Sequence, residues 1–323
     1  MSKLMPSVVL IVAMMIGIGA AHAQPYPAKP IRLIVPLQPG GLADGFARLL
    51  SQHLSDRMGQ TVVVENRPGG SQVIAGEAVA RSASDGYTLM LATEAGLVLA
   101  TLAQKQLPYD PVKDFSPITM IFVVPYYLVL HPSLPATSLQ ELIAYAKSNR
   151  GKLSYASFGQ GTGNHIAGEV LNKHFGIDMV HVPYKGTAQA MTDLLAGQVQ
   201  VMFSGGQTSI PNFKSGKLRA IAVSGIKRSS SFPDLPTVAE QGVPGFDIIS
   251  WFSLVGPAGL PRPIVERLNT ETTTMLKSPG VRDKYAAFGI DMTPSTPQEA
   301  ADHIRLAPPY WAKILSETGV KLE

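Results

Sequence analysis

The segment that most constrains the fold runs from Ile31 to Gly59, IRLIVPLQPGGLADGFARLLSQHLSDRMG. Ile31–Val35 is a short, nearly continuous apolar run, the pattern of a strand buried on both faces of a parallel sheet. Pro36, Pro39, Gly40 and Gly41 break that pattern. After Asp44, apolar residues recur at Phe46, Leu49, Leu50, Leu54 and Met58, the spacing of one helical face, and Gly59 is a natural stop. Strand, glycine-rich loop and helix in this order bring bare backbone to the C-terminal end of a strand, beside the unpaired N–H groups of a helix start. Such a place attracts anions. On these residues alone a tight turn is the simpler reading, and what raises the functional one is a second loop of the same kind.

That second loop is Ser157-Phe158-Gly159-Gln160-Gly161-Thr162-Gly163-Asn164-His165, which also follows a strand-like run and opens a helix. Its three glycines allow close backbone approach, and Ser157, Thr162 and Asn164 offer neutral hydrogen-bonding groups. Taken singly, Thr162 or Asn164 reads as a helix N-cap. Two such loops facing each other across a hinge would clamp a carboxylate with neutral donors and no buried Lys or Arg. A phosphate loop is excluded by the lack of a Gly-x-x-x-x-Gly-Lys-Ser/Thr pattern.

Between and around these loops, strand and helix alternate. Thr61–Glu65, Tyr87–Thr93, Leu153–Ala156, Met179–Val182, Val199–Phe203 and Leu218–Val223 read as strands. Helices are expected over 73–81, 139–148, 164–175, 188–196 and 207–214. The alternation predicts an α/β fold with doubly wound parallel sheets. Ser138 and Glu141 give a capping-box pattern, as do Thr296 and Glu299 with Pro297 at the first helical position. Ile121–Leu130, interrupted by Pro125, is expected to cross into a second lobe. Residues 224–249, rich in Ser, Pro and Gly, read as the return linker, and Ile248–Val255 as a strand-like run. The rest is helical and is expected to rejoin the first lobe, with Pro308-Pro309 breaking the last helix. The expected organisation is residues 24–124 and 224–323 as lobe 1 and residues 125–223 as lobe 2.

Residues 1–23 read as a cleaved secretory leader: Lys3, an apolar stretch over Val8–Ile18, and Ala21-His22-Ala23 as the cleavage pattern. The run is short for a membrane span and lacks basic stop-transfer residues after it. Gln24 is the expected mature start and the periplasm the expected location. With no cysteine, the chain has no disulfide, no thiolate chemistry and no lipidated N-terminal Cys. Without Lys3, 26 of the 27 basic residues face 23 acidic ones. A net of +3 with no basic cluster or aromatic ladder gives no support for nucleic-acid binding.

Catalytic readings have little to stand on. The chain has no Gly-x-Ser-x-Gly elbow. Its histidines after the leader, at 53, 131, 165, 174, 181 and 303, form neither His-x-x-x-His nor His-Glu-x-x-His. His165 and His181 read as structural or hydrogen-bonding residues, and Asp44 as a helix-capping acid. Glu94, just after the third strand, either reaches the cleft or is solvated. No cofactor or metal is expected, and no nucleophile–base pair is evident.

Seven segments then occur in order: Pro39-Gly40-Gly41 with Asp44; Val64-Glu65-Asn66-Arg67-Pro68-Gly69; Asp85-Gly86-Tyr87-Thr88-Leu89; Leu107-Pro108-Tyr109-Asp110-Pro111; the 157–165 loop; His181-Val182-Pro183-Tyr184-Lys185-Gly186; and Leu235-Pro236-Thr237. In this set the chain closely resembles the Bug-type periplasmic solute-binding receptors of tripartite tricarboxylate transporters, over essentially all residues after the leader. The resemblance implies a type II periplasmic binding protein fold, two αβ lobes joined by a two-segment hinge with a ligand cleft between them. It implies capture of a small carboxylate, an organic or aromatic acid, and delivery to large and small membrane permease subunits by a monomeric, non-enzymatic receptor.

Carried over residue by residue, the resemblance puts the ligand between Gln38, Gly40, Gly41, Leu42 and Ala43 on one side and Ser157, Phe158, Gly159, Gly161, Thr162 and Asn164 on the other. Thr93, Glu94, Tyr184 and Ser204 would line the sides. Backbone groups and bridging water largely hold the carboxylate in this family. The chain departs from the pattern at four places. Leu42 and Ala43 stand where many members carry small or hydroxyl residues, Ser204 where many carry Asp, and Glu94 where a small or neutral residue is usual. Ser204, Gly205 and Gly206 therefore offer space without charge, and Phe158, Phe203 and Tyr184 an apolar wall, which suits a carboxylate with an uncharged body. An extracytoplasmic sensor and an exported enzyme on the same scaffold are the competing classes.

Overall fold

The computed structural model describes residues 26–69, 72–104, 106–184, 186–229 and 231–320. The leader expected over 1–23, its cleavage after Ala23, and Lys185 of the sixth segment lie outside the described residues.

The first αβ unit comprises β1 (Ile31–Val35), α1 (Leu42–Met58), β2 (Val62–Asn66), α2 (Val73–Ala80) and β3 (Thr88–Thr93). A single π turn at Ala95–Leu99 leads into the short α3 (Ala100–Ala103), and β4 (Phe115–Leu130) follows. The second unit runs through α4 (Leu139–Ser148), β5 (Ser154–Ser157), α5 (Gly163–Phe175), β6 (Val180–Pro183), α6 (Thr187–Leu195), β7 (Val201–Gly205), α7 (Gly206–Lys214) and β8 (Arg219–Val223). The chain returns through β9 (Ile249–Pro257), α8 (Arg262–Lys277), α9 (Pro279–Ala286), β10 (Asp291–Met292) and α10 (Pro297–Thr318).

The strands form one continuous, curled sheet in the order β2-β1-β3-β9-β4-β7-β5-β6, with β8 and β10 also paired to β4. β1 is parallel to β2 and β3, and β5 is parallel to β6 and β7. β9 runs antiparallel to both β3 and β4, and β4 antiparallel to β7. The two parallel sets therefore point in opposite directions along β4. The register shows where they meet. β3 ends at Thr93, opposite Phe252, which faces Phe122 of β4, and β7 ends at Gly205, opposite Tyr126. The C-terminal ends of both parallel sets converge on residues 122–126 of β4. Ligands of open α/β sheets bind outside such carboxyl ends.

Each unit builds its core from the periodicity of its own helices. Phe46, Leu50 and Leu54 fall on one face of α1 and are fully buried against Ile31, Leu33, Leu89 and Leu91. Each such side chain contributes about 1.5–3 kcal/mol by leaving water. Ala190, Met191 and Leu194 of α6 pack with Ala156, Met202 and Tyr127 in the second unit. A third cluster joins the halves: Ala300, Ile304 and Trp311 of α10 share it with Leu97 of the π turn and Ile166 of α5. The last helix thus touches the second unit as well as the first, beyond the expected return to lobe 1.

Two proline expectations are corrected. Pro125 does not divide β4. It sits where β4 changes partner, pairing with Ile249 of β9 while Tyr126 already pairs with β7. At that switch the missing N–H costs no ladder bond. Pro308 and Pro309 lie inside α10 and do not end it. Packing outweighs the lost bonds there: Ile304 and Trp311 are buried on either side, and the Tyr310 hydroxyl donates to the Asp247 carbonyl at 2.5 Å. The capping box at Thr296 and Glu299 is complete. At α4, Ser138 accepts from the Glu141 N–H, but Glu141 reaches one residue further back, to the Thr137 N–H at 2.6 Å.

The return segment over 224–249 is packed, with Val238, Val243, Phe246 and Ile248 buried. Ser224 stitches both crossings of the chain. Its Oγ accepts the Tyr126 N–H at 2.8 Å and donates to the Ile248 carbonyl at 2.5 Å, and its own N–H donates to the Tyr126 carbonyl at 2.8 Å. The residue is fully buried. Ser224→Ala strands the Tyr126 donor and the Ile248 acceptor away from water, at a cost of about 1–3 kcal/mol. Chemical denaturation should show the lower midpoint; a midpoint equal to the native one would mean the crossing needs no such stitch.

Candidate functional site

The β1–α1 loop leaves the sheet with Pro36 buried and Gln38, Pro39, Gly40 and Gly41 exposed. Gly40 takes a left-handed φ of 87°, which its lack of Cβ allows. Gly41 is the N-cap of α1 in extended geometry, and no side chain caps the helix. The Asp44 carboxylate instead reaches back to the Gly40 N–H at 3.0 Å and is gripped by Arg48 at 3.0 and 3.1 Å. The Arg48 guanidinium, then the Gly40 N–H, hold the Asp44 carboxyl below the usual range. Asp44 is therefore spent on shaping the loop. The Asn66 amide supports the loop from below by donating to the Leu37 carbonyl at 3.0 Å. Of the next two residues, Leu42 is half-buried and Ala43 buried in the α1 face.

At the end of β3, Thr93 is buried and its hydroxyl is fully engaged: it donates to Gln72 Oε1 and accepts the Gly96 N–H at 3.3 Å. Gln72 was not singled out by the sequence. Its φ of 75° makes it the one non-glycine residue with positive φ among the described residues, a conformation that costs energy and clusters at functional sites. Glu94 follows, 2% exposed, with Oε1 buried and without a hydrogen-bond partner. The solvated alternative for Glu94 therefore does not hold. Burial pushes its carboxyl well above the usual range, and its charge would also be felt by the Tyr126 and Tyr310 hydroxyls. The π turn starts at the next residue.

The β5–α5 loop is held almost wholly by its own side chains. Ser157 Oγ accepts the Gly159 N–H at 3.1 Å and lies 2.6 Å from His181 Nε2. Thr162 Oγ1 sits 2.6 Å from both the Gly159 carbonyl and Asn164 Oδ1, while the Asn164 amide donates to the Phe203 carbonyl at 3.3 Å. The Gly161 N–H donates to His165 Nδ1 at 3.0 Å. Gly159 and Gly161 have φ of 126° and 73°. Thr162 occupies the N-cap position of α5 without capping it, so the simple capping reading fails for its side chain. Phe158 is half-buried against this unit's core.

Two further predicted residues are turned inward. The Tyr184 hydroxyl donates to Asp193 Oδ2 at 2.8 Å; burial and then that bond push it up to about 12. Ser204 is fully buried with its hydroxyl 3.0 Å from Thr208 Oγ1. Beside it, α7 starts at Gly206 with no side-chain cap. Tyr126 joins these elements, because a Cβ on Gly163 would lie 3.1 Å from its hydroxyl.

The register thus brings the chain around Gly40–Gly41, Thr93–Glu94, Gly159–Thr162 and Gly205 to one junction. What these loops offer is backbone: the hydroxyls and amide of Thr93, Ser157, Asn164, Tyr184 and Ser204 already have protein partners. Three α-helices start there, α1, α5 and α7, each without a side-chain cap. The start of α7 is closed: Gly206 is buried and a Cβ on it would collide with the Phe288 carbonyl oxygen, so the space expected at Gly206 is already filled. The starts of α1 and α5 have the chemistry of an anion site built from N–H groups. The groove of about 490 Å3 between Phe213 and Phe232 involves none of these residues. Among the described residues, no group of three His, Asp or Glu side chains is placed to hold a metal ion, and no helix is long and apolar enough to cross a membrane.

Residues 46–320 match the model of the tripartite tricarboxylate transporter family receptors. The chain belongs to this family, and its fold is the two-lobed type II periplasmic binding fold. Protein BugT of Bordetella pertussis is 38% identical over 309 residues, covering 95% of each chain. Among solved structures, R. palustris Rpa4515 with adipate is 34% identical with a TM-score of 0.84, over 92% of this chain and 99% of that one. MatC from Rhodopseudomonas palustris with bound malate is 29% identical with a TM-score of 0.78, over 90% and 100%.

Two outcomes follow from the geometry. A Cβ on Gly41 meets nothing within 4 Å, and its φ of −88° suits any residue. Gly41→Val should therefore change folding stability by no more than about 0.5 kcal/mol, yet weaken carboxylate binding at least tenfold, about 1.4 kcal/mol. Calorimetry beside a denaturation curve reads both, and undiminished affinity would put the ligand elsewhere.

Glu94 gives the second. Its raised pKa means the folded chain keeps a proton that the unfolded chain loses above its ordinary 4.5. The native protein is penalised increasingly as pH rises past that value. Glu94→Gln should be the more stable protein at pH 8, with the advantage shrinking toward pH 4. Equal melting curves at both pH values would mean that Glu94 titrates normally.

Proposed function

We propose that the protein is the periplasmic receptor of a tripartite transporter and captures a small carboxylate at the junction of its two lobes. The observation that carries this reading is the convergence of the uncapped starts of α1 and α5, on open glycine loops, at the crossing of β4. Adipate on Rpa4515 and malate on MatC support the ligand class. We take the lobes as residues 24–124 with 224–323, and 125–223. The ligand would lie between Gln38–Ala43 and Ser157–Asn164, flanked by Thr93, Glu94, Tyr184 and Ser204. The leader is cleaved after Ala23, and the monomeric receptor delivers its ligand to large and small membrane subunits.

One observation favours catalysis, the 2.6 Å contact between Ser157 Oγ and His181 Nε2, a pair the sequence did not reveal. Ser157 is fully buried and its hydroxyl is occupied by Gly159, so it serves the loop and not a substrate. Binding without turnover is the reading we adopt.

The body of the ligand is uncharged in this reading. An ammonium needs an anionic partner on burial. Ser204 brings no charge, and burial disfavours the charged form of Glu94.

A thermal-shift screen of organic acids, aromatic acids and amino acids tests this. A true ligand at about 100 times its Kd stabilises by roughly 2.7 kcal/mol, and small-angle scattering should register compaction. An acid and its α-amino counterpart, titrated against native protein and Glu94→Gln, decide the ligand body. Tighter binding of the amino form to native protein, lost in the variant, would overturn the uncharged reading and make Glu94 the ammonium partner.

A further inference from the structure

The β5–α5 loop rests on two stacked imidazoles. The His165 and His181 rings lie 4.0 Å apart, inclined by 23°, and Tyr155 continues the stack 5.1 Å from His181. His165 Nδ1 accepts the Gly161 N–H directly, while His181 Nε2 lies 2.6 Å from the Ser157 hydroxyl, which accepts the Gly159 N–H and donates to the Gly159 carbonyl.

A ring nitrogen accepts only while it carries no proton. The Gly161 bond therefore fixes neutral His165 as the Nε2–H tautomer. A proton added at Nδ1 would set two donors against each other 3.0 Å apart. Protonating both rings would also put two cations face to face at 4.0 Å.

We propose that His165 is a positioning residue that keeps the 157–163 loop in its ligand-accepting shape only as a neutral imidazole stacked on His181, so that acidification weakens the receptor's hold on its ligand. This rests on the carboxylate-binding reading above. It runs against the simple expectation that a protonated histidine strengthens anion binding, because here Nδ1 of His165 faces the loop's own Gly161 N–H donor.

The described titratable groups around the pair are few. Tyr155, from β5, stacks on His181 and donates its hydroxyl to Glu169 Oε1 at 2.5 Å. Glu169, one turn along α5 from His165, favours the charged form of His181. Burial opposes it: desolvation first, then His165, pushes His181 down to about 4, and burial also lowers His165. Both rings are thus neutral near pH 7. The native loop is opposed increasingly as pH falls from the ordinary histidine value of 6.5 toward 4.

The test compares native protein, His165→Asn and His165→Ala. Asn places an acceptor oxygen near the position of Nδ1 and does not titrate. Calorimetry with adipate, malate and the strongest carboxylate from a neutral-pH screen, at pH 7.5 and 4.0, gives the ratio of affinities; protonation of the ligand is common to all three proteins. The native ratio should exceed the Asn ratio about tenfold, and Ala should bind more weakly than Asn at pH 7.5. Equal ratios in native and Asn proteins would overturn the proposal.

A ligand-free arm separates this from failure of the binding reading. In nuclear magnetic resonance spectra of native protein, the Gly161 amide shift should follow the His165 imidazole titration. A Gly161 amide indifferent to that titration would overturn the proposal, whatever the ligand screen gives. If no carboxylate binds at any pH while Gly161 follows His165, the loop device stands and the ligand class falls.

Discussion

Everything else in the molecule depends on one strand carrying the chain between two sheets that run in opposite directions. The first part of β4 belongs to the β9 side and its last residues to β7 and β8, and the change of partner falls between Pro125 and Tyr126. Ser224 locks this crossing to the returning segment at Ile248. Because β7 runs antiparallel to β4, the carboxyl ends of the second unit's strands turn back toward those of the first. The site is a consequence of that register. No side chain has to reach far to build it.

The chemistry of the site follows from what is left unspent. Charges near the first loop are paired, Asp44 with Arg48, and Glu65 with Arg32 and Arg67. Hydroxyls and amides near the second loop are committed to shaping it. The main chain at the starts of α1 and α5 is what faces the junction, while the start of α7 at Gly206 is closed by the Phe288 backbone, and a helix start presents oriented N–H dipoles at no cost in side-chain entropy. Two solved structures similar to this chain carry adipate and malate.

Glu94 stands apart. An ionisable group with a buried, unpartnered oxygen is costly, and it sits at the start of a π turn where the first unit meets the last helix. Its charge is felt by Tyr310 of α10, the helix that packs on the π turn. His165 does for the second loop what Asp44 does for the first, holding a glycine N–H through an acceptor that works in only one protonation state.

The sequence by itself determined the local elements. Strand runs such as Ile31–Val35 and helical faces such as Phe46–Leu50–Leu54 are short-range patterns of burial, and they are found within a residue or two of where they were expected. It also determined that glycine-rich loops follow β1 and β5, since glycine takes the left-handed turns at Gly40, Gly159 and Gly161 without a Cβ penalty. Ordered motifs made the family legible. Tertiary structure alone decided what those patterns leave open. Pro125 breaks a strand or spares it according to which neighbour it faces, and Pro308-Pro309 end a helix only if packing on both sides does not outweigh the lost bonds. The solvation of Glu94, the left-handed Gln72 bridging to Thr93, and the contact of Ser157 with His181 are long-range. They join residues up to 24 positions apart or elements from opposite ends of the chain. Local propensity carries no information about such partners, because which donor meets which acceptor is fixed only when the strands take their register.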